Sequence, residues 1–340
     1  MNETTSNHPR RNLGVFRWIV IVMIVAAFSL QVYALIVQRR GDSRLPEKFG
    51  NFPANRAVLE SAPAKDSFAF AVAGDTNSIG TFERLSKMLR KMPLDFLVLV
   101  GDASFGPTPD EHRLLRAEWA KELRMPFPTF YTVGNRDVGP EFPTERFEKS
   151  YGPGNFSFEY QNCLFIILRM LPESPSNAES LEFLRKFRAE PLDKYRRRFV
   201  FVHIPPPVTP VYKARAVTEG DELLALFDEL KIDTVFSGHY HAYGRVRRAA
   251  TNYIITGGGG DHLSKTPPGQ FHHALIVRVS PDSVEEQLIS VPETNNLEDR
   301  LEKHAITEWW PMMRDHPIGA VAADGLGLIV LIACLVRRRS

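Results

Sequence analysis

Five short runs of apolar and β-branched residues, each ending abruptly in polar residues and mostly in a glycine-containing turn, constrain this chain most. They are FAFAVAGD (68–75), FLVLVGD (96–102), TFYTVGNRD (129–137), RFVFVH (198–203) and DTVFSGHYH (233–241). Near-continuous apolar strands of this kind suit a sheet buried on both faces. Between them the pattern predicts helices over 82–91, 110–123, 178–187 and 220–230. In the third, Leu181, Leu184 and Phe187 recur at three-residue spacing and form a core-facing stripe. The carboxyl half changes character, with strands predicted over 244–246, 253–256, 274–279 and 284–291. The sum is an α/β domain over residues 66–292, sheet packed on sheet with helices outside. Residues 38–65, where 41–65 are rich in proline, alanine and charge, read as a linker, and 293–317 as a second one.

Both ends of the chain carry a different signal. Residues 18–37 are twenty residues without a charge, WIVIVMIVAAFSLQVYALIV. A helix of that length matches the roughly 30 Å hydrocarbon core of a bilayer. A cleaved signal peptide has a shorter apolar region and a small-residue cleavage site. Residues 318–336 form a second candidate span, although Asp324 lies inside it and Gly325 and Gly327 weaken it as an isolated helix. Trp309 and Trp310 stand where an interfacial aromatic belt would sit. Arg10, Arg11, Arg17 and the Arg337–Arg339 tail favour inside termini, and Arg39, Arg40 and Arg44 oppose them. These features predict an inner-membrane protein with tails at 1–17 and 337–340 in the cytoplasm and the domain on the outer, periplasmic side.

Charge narrows the function classes. The two ends hold nine of the 42 Lys and Arg but three of the 40 Asp and Glu. Residues 45–316 are left with 33 basic against 37 acidic residues, which argues against a nucleic-acid-binding surface. Cys163 and Cys334 have no metal-ligand spacing and are not expected to meet.

In open α/β sheets, ligands bind beyond the carboxyl ends of the strands. Here those ends carry Asp75, Asp102, Asn135-Arg136-Asp137, His203 and His239-Tyr240-His241. Ester hydrolysis at phosphorus can use two metals sharing a hydroxide, held by a bridging carboxylate, oxygen ligands and neutral imidazoles. Asp102 after Gly101 suits the bridge, and Asp75 after Gly74 repeats that chemistry on the preceding strand. An extended 238–241 segment would project His239 and His241 to one side.

The ordered set GD-x-N, GD, GN-R-D, H, GH-x-H resembles the calcineurin-like metallophosphoesterase family over roughly residues 66–262, including YIITGGGG (253–260). The resemblance implies a sandwich of two packed mixed sheets flanked by helices, and two divalent ions (Mn, Fe or Zn) acting on a phosphate-ester substrate. Asp75, Asp102 and His241 would hold the first ion, and Asp102, Asn135, His203 and His239 the second. Three positions depart from the pattern. Asn77 stands where histidine is common, and would either ligate the first ion weakly or cap the following helix. Phe105 follows the second Asp, in GDASF. Arg136 replaces a histidine that contacts the phosphoryl group, so the catalytic set is Asp102, Arg136 and Asp137, with Asp137 orienting Arg136. Arg245, Arg247 and Arg248 read as a solvated strand face or an anion site, and His262 as pocket lining or surface. The reading is a membrane-anchored metal-dependent phosphoesterase (phosphomonoester, phosphodiester or pyrophosphate). The alternative is a degenerate member acting as a membrane-anchored scaffold.

Overall fold

A computed structural model describes residues 9–41, 45–172, 177–209, 217, 219–264, 269–294 and 296–336. The side chains of Arg10, Arg11 and Arg40, together with Arg44 and Arg337–Arg339, lie outside the described residues, as do residues 210–216 and 218 of the loop after His203.

Residues 41–299 form one compact unit. One sheet contains β1 (Phe68–Ala73), β2 (Phe96–Leu99), β3 (Thr129–Tyr131), β10 (His272–Val279) and β11 (Val284–Val291), in the order β11-β10-β1-β2-β3. The other contains β4 (Phe156–Tyr160), β5 (Cys163–Leu168), β6 (Arg197–Val202), β7 (Thr234–Ser237), β8 (Tyr243–Arg248) and β9 (Thr251–Thr256), in the order β4-β5-β6-β7-β9-β8. Both are mixed. β1, β2 and β3 run parallel, as do β5, β6, β7 and β9, whereas β10, β11, β4 and β8 pair antiparallel at or towards the edges.

The period of two along each strand sorts the side chains into layers. Phe68, Phe70, Val72, Phe96, Val98 and Phe130 of the first sheet meet Phe158, Phe165, Phe199, Phe201 and Phe236 of the second. The rings of Phe70 and Phe96 stack at 4.9 Å, and Phe165 stands edge-on to Phe70 at 5.6 Å. The alternate residues face outward and are covered in turn. Ala71, Leu97, Leu99 and Tyr131 pack under α3 (Thr81–Leu89) and α4 (Pro109–Lys121), through Phe82, Leu85 and Trp119. Leu164, Ile166 and Val200 pack under α6 (Asn177–Arg185) and α7 (Gly220–Glu229), through Leu181, Leu184 and Phe227. Burial on both faces is why these strands read as unbroken apolar runs.

The first predicted linker is corrected. Residues 53–60 form helix α2, Phe49 makes a parallel bridge to Thr129, and its ring lies 4.2 Å from Trp119. Asn51 donates to the carbonyls of Tyr131 and Pro153. These contacts reach from 70 to more than 100 residues along the chain, so no local pattern announces them. The second linker is corrected likewise, since 297–304 and 310–315 are helices α8 and α9.

The described residues within 1–40 and 300–340 form a separate unit. Helix α1 (Pro9–Gly41) contains a 26-residue apolar stretch, and α10 (Pro317–Val336) a 20-residue one; both are long and apolar enough to cross a membrane. The exposed large apolar side chains concentrate on these two helices. Gly325 and Gly327 do not break α10. A Cβ at Gly327 would lie 3.6 Å from Phe28 and 3.7 Å from Ile24 of α1, ordinary contact distances, so the two helices lie side by side here and an alanine would also fit.

Candidate metal centre

Parallel strands deliver the polar strand ends to one place. Asp75, Asp102 and Asn135 follow β1, β2 and β3 of one sheet, and His203, His239 and His241 follow β6 and β7 of the other. Backbone hydrogen bonds join the two sides: Gly74 N–H donates to Thr256 O at 2.9 Å, and His239 N–H to Asp75 Oδ2 at 2.8 Å.

Asp75 (φ 53°), Asn77 (φ 48°), Asp102 (φ 50°) and His239 (φ 66°) all adopt the left-handed backbone region. Such strain persists only where surrounding structure holds it, and it turns side chains that a regular strand would send elsewhere. The extended 238–241 segment is therefore corrected: it is a turn, with Tyr240 N–H donating to Gly238 O at 2.8 Å. Gly134 is required beside Asp102, since a Cβ there would collide with the Asp102 carboxylate and backbone nitrogen.

The imidazoles are oriented by carbonyls. His203 Nδ1–H donates to Val100 O at 2.8 Å, which leaves Nε2 facing the site, 3.0 Å from Asn135 Oδ1 and 3.4 Å from Asp102 Oδ1. His241 Nδ1–H donates to His262 O at 2.7 Å, leaving Nε2 3.3 Å from Asp75 Oδ1. The His239 ring lies 5.2 Å from that of His203. A carbonyl on one ring nitrogen is the usual partner of a histidine whose other nitrogen binds metal. Asp75 Oδ1 and Asn77 Oδ1 are buried and accept no hydrogen bond among the described residues. Such orphaned acceptors are costly unless something cationic satisfies them. The donor set thus fits divalent ions.

Charge in the cluster says the same. Burial alone would push the Asp102 carboxyl up, but His203 and Arg136 outweigh it and bring it to about 2. Burial likewise opposes a charged His203, yet Asp102 and Asp75 prevail and raise it to about 10. A proton and a guanidinium occupy a place that calls for positive charge, and metal uptake would displace that proton.

Asn77 does not cap the following helix, whose N-cap is Gly80 with no side-chain hydrogen bond. Asp137 is also corrected as a catalytic group. It is fully buried, and its oxygens accept from the N–H groups of Asp102, Ser104 and Gly134 and from the Tyr131 hydroxyl. Its carboxylate shapes the loop that carries Asp102 and Asn135. Arg136 is held by other partners: its Nη1 pairs with Asp261 Oδ2, its Nε lies 3.6 Å from Asp102 Oδ2, and its side chain is 29% exposed. Arg245 pairs with Glu286 at 3.4 Å and Arg248 with Asp228 at 2.6 Å, as a strand face would.

Asp261 is the residue that the strand-end argument missed. It follows β9 across the glycine run, and its Oδ2 lies 3.5 Å from His241 Nε2. Applying the strand-end rule to 253–256 would have found it. His262 beyond it is 76% exposed, with its Nδ1 2.8 Å from Asp261 Oδ1.

His112 supports the site from behind. It stacks on Phe142 at 3.6 Å, its Nε2–H donates to Asp137 O, and its Nδ1 accepts from the Tyr151 hydroxyl. Burial depresses it to about 3. Its folded pKa lies below the ordinary 6.5, so the stability it contributes is present above about pH 6.5 and is lost as pH falls towards 3. Denaturant melts across that window should show His112→Phe losing less stability on acidification than wild type, by up to roughly 4 kcal/mol. Parallel pH profiles for the two proteins would refute this.

Residues 68–243 match the family model described as calcineurin-like phosphoesterase. The chain is similar to the human serine/threonine-protein phosphatase CPPED1, with 27% identity over 212 residues, 57% of this chain and 65% of that protein. It is similar to purple acid phosphatase 21 of Arabidopsis thaliana, with 24% identity over 234 residues, 60% of this chain and 52% of that protein. The matches thus span between half and two thirds of those relatives. The purple acid phosphatase PPD1 from yellow lupin shares the fold, with a TM-score of 0.50 and 14% identity over 70% of this chain and 55% of that one.

Proposed function

The chain belongs to the calcineurin-like phosphoesterase family, and we propose that it is a membrane-anchored, metal-dependent hydrolase of phosphate esters. The observation that carries this reading is the pair of imidazoles, His203 and His241. Each donates from Nδ1 to a carbonyl and turns Nε2 towards a buried carboxylate. Asp75, Asp102, Asn77 and His241 would hold a first divalent ion, and Asp102, Asn135, His203 and His239 a second. When bound, such ions supply an attacking water of lowered pKa and neutralise charge developing on the phosphoryl oxygens. Arg136 contributes a fixed cation whose planar donors suit two phosphate oxygens. Burial opposes its charge, but Asp261 and Asp102 raise its pKa above the ordinary value, so it stays charged.

The test uses the full chain in detergent, with metal content measured beside hydrolysis of chromogenic monoesters, diesters and pyrophosphate. Hydrolysis that tracks loading with two ions supports the reading. A chain that binds metal and turns over none of these substrates would instead be a membrane-anchored scaffold, the alternative favoured by the Asn77, Phe105 and Arg136 departures.

For location we propose two spans in the inner membrane, both termini cytoplasmic and the domain periplasmic. Support comes from two apolar helices and from Arg10, Arg11, Arg17 and Arg337–Arg339 beside them. Reporter fusions at Glu60 should read outside and at the C-terminus inside. A cytoplasmic reading at Glu60 would reject the arrangement. A C-terminal fusion that reads outside would mean that Asp324 keeps the second segment from spanning.

A further inference from the structure

The four glycines of 257–260 lay the chain after β9 against the end of β1. Gly259 N–H donates to Gly74 O at 2.9 Å, and Asp261 N–H to Asp75 O at 2.9 Å. A Cβ on Gly259 would run into the Gly74 carbonyl, so only glycine allows this approach. The result fixes the Asp261 carboxylate beside Asp75 and His241. Asp75 Oδ1 lies 3.3 Å from His241 Nε2, and Asp261 Oδ2 lies 3.5 Å from the same nitrogen. Donors each about 2.1 Å from one ion sit about 3.0–3.5 Å apart. Asp75 Oδ1 is buried without a hydrogen bond among the described residues, which marks the space beside His241 Nε2, approached by both carboxylates, as a place for a cation.

We propose that Asp261 is a ligand of the first metal position, an inference that rests on the two-ion reading above. The carboxylate has room for both tasks. Oδ1 accepts from the N–H of His262 and meets its Nδ1, while Oδ2, with two lone pairs, serves Arg136 and the ion together. Arg136 then acts on Asp261 as a counter-charge that offsets crowding with Asp75 and Asp102. Asp261 also changes the character of the position. Oxygens from Asp75, Asp102, Asn77 and Asp261 with a single imidazole form a hard donor set, against two imidazoles at the second position. The first position is thus suited to Mn²⁺ and the second to Zn²⁺ or iron.

The experiment is Mn²⁺ titration of the metal-stripped full chain in detergent, followed by calorimetry and by the electron paramagnetic resonance of coupled Mn²⁺ pairs. Wild type should bind two ions and show the coupled signal. Asp261→Asn, which keeps the side chain's shape and one acceptor, should lose the signal and weaken one ion by more than the about 10–100-fold that loss of an outer partner costs. Arg136→Gln should keep both ions. Two ions at wild-type affinity in Asp261→Asn would overturn the inference and leave the two-ion reading standing. Equal loss in Arg136→Gln and Asp261→Asn would assign the effect to the ion pair and also overturn it. A wild type that binds fewer than two ions would overturn the two-ion reading itself. Melting curves establish that each variant is folded, and Asp261→Glu, which retains a carboxylate, should recover part of the affinity.

Discussion

Asp102→Asn is expected to lower turnover by at least about 10³-fold and to reduce bound metal below two ions per chain. The two Asp102 oxygens face different neighbours, Oδ1 towards His203 Nε2 at 3.4 Å and Oδ2 towards Arg136 Nε at 3.6 Å. The bridging role proposed for Asp102 fits its place, since ligand atoms of Asp75, Asp102 and His203 all lie within 4.8 Å of one another. Asparagine keeps an oxygen for the Arg136 N–H, which donates to Asp102 Oδ1 at 2.9 Å, so the loop should survive. What is lost is the second anionic donor. An Asp102→Asn or Asp102→Ala protein with two ions and wild-type turnover would sink the bridging role, and with it the assignment of both metal positions.

Arg136→Ala should cut kcat/KM by about 10²-fold or more if the guanidinium grips the phosphate in the transition state, and Arg136→Lys should restore only part of it. The partial rescue follows from geometry, since lysine offers charge without the planar fork. Arg136 cannot give up a proton at neutral pH, so pyrophosphates, aryl esters and activated diesters should outpace alkyl monoesters. A plot of rate against leaving-group pKa reads this directly and should fall steeply. A flat plot would hand protonation to another group. His262, whose ring lies 4.8 Å from that of His241, is then the imidazole to replace next. Unchanged kcat/KM in Arg136→Ala would leave the arginine as a partner of Asp261 alone.

The layers of the fold and the order of the site motifs were legible because each is local. A strand covered on both faces shows as a continuous apolar run, and the polar residues that follow show where it ends. The helices over Thr81–Leu89 and Pro109–Lys121 were found within two residues at each end for the same reason. What escaped was set by distant partners. Asn51 is fixed by Tyr131 and Pro153, so its segment looked like a stalk. Asp137 reads as a chemical group because it follows Asn135-Arg136, yet its carboxylate is taken up by the N–H groups of Asp102 and Ser104, more than 30 residues away. The partner of Arg136 lies 125 residues further on, beyond any motif window. Asn77 reads in the sequence as either a ligand or a cap, and the N-cap at Gly80 removes the second reading.

The candidate donors are shared between the two faces of the sandwich: Asp75, Asp102 and Asn135 from one sheet, His203, His239, His241 and Asp261 from the other. An ion held among them is a rivet through the molecule as well as a reagent. Its affinity is added to the work of prying the sheets apart, about 2.7 kcal/mol per ion at a free concentration one hundred times its Kd. Metal scarcity would then act on abundance before it acts on rate. A stripped domain would open more often and be cut by proteases in the open state, while the copies that remain loaded are spared.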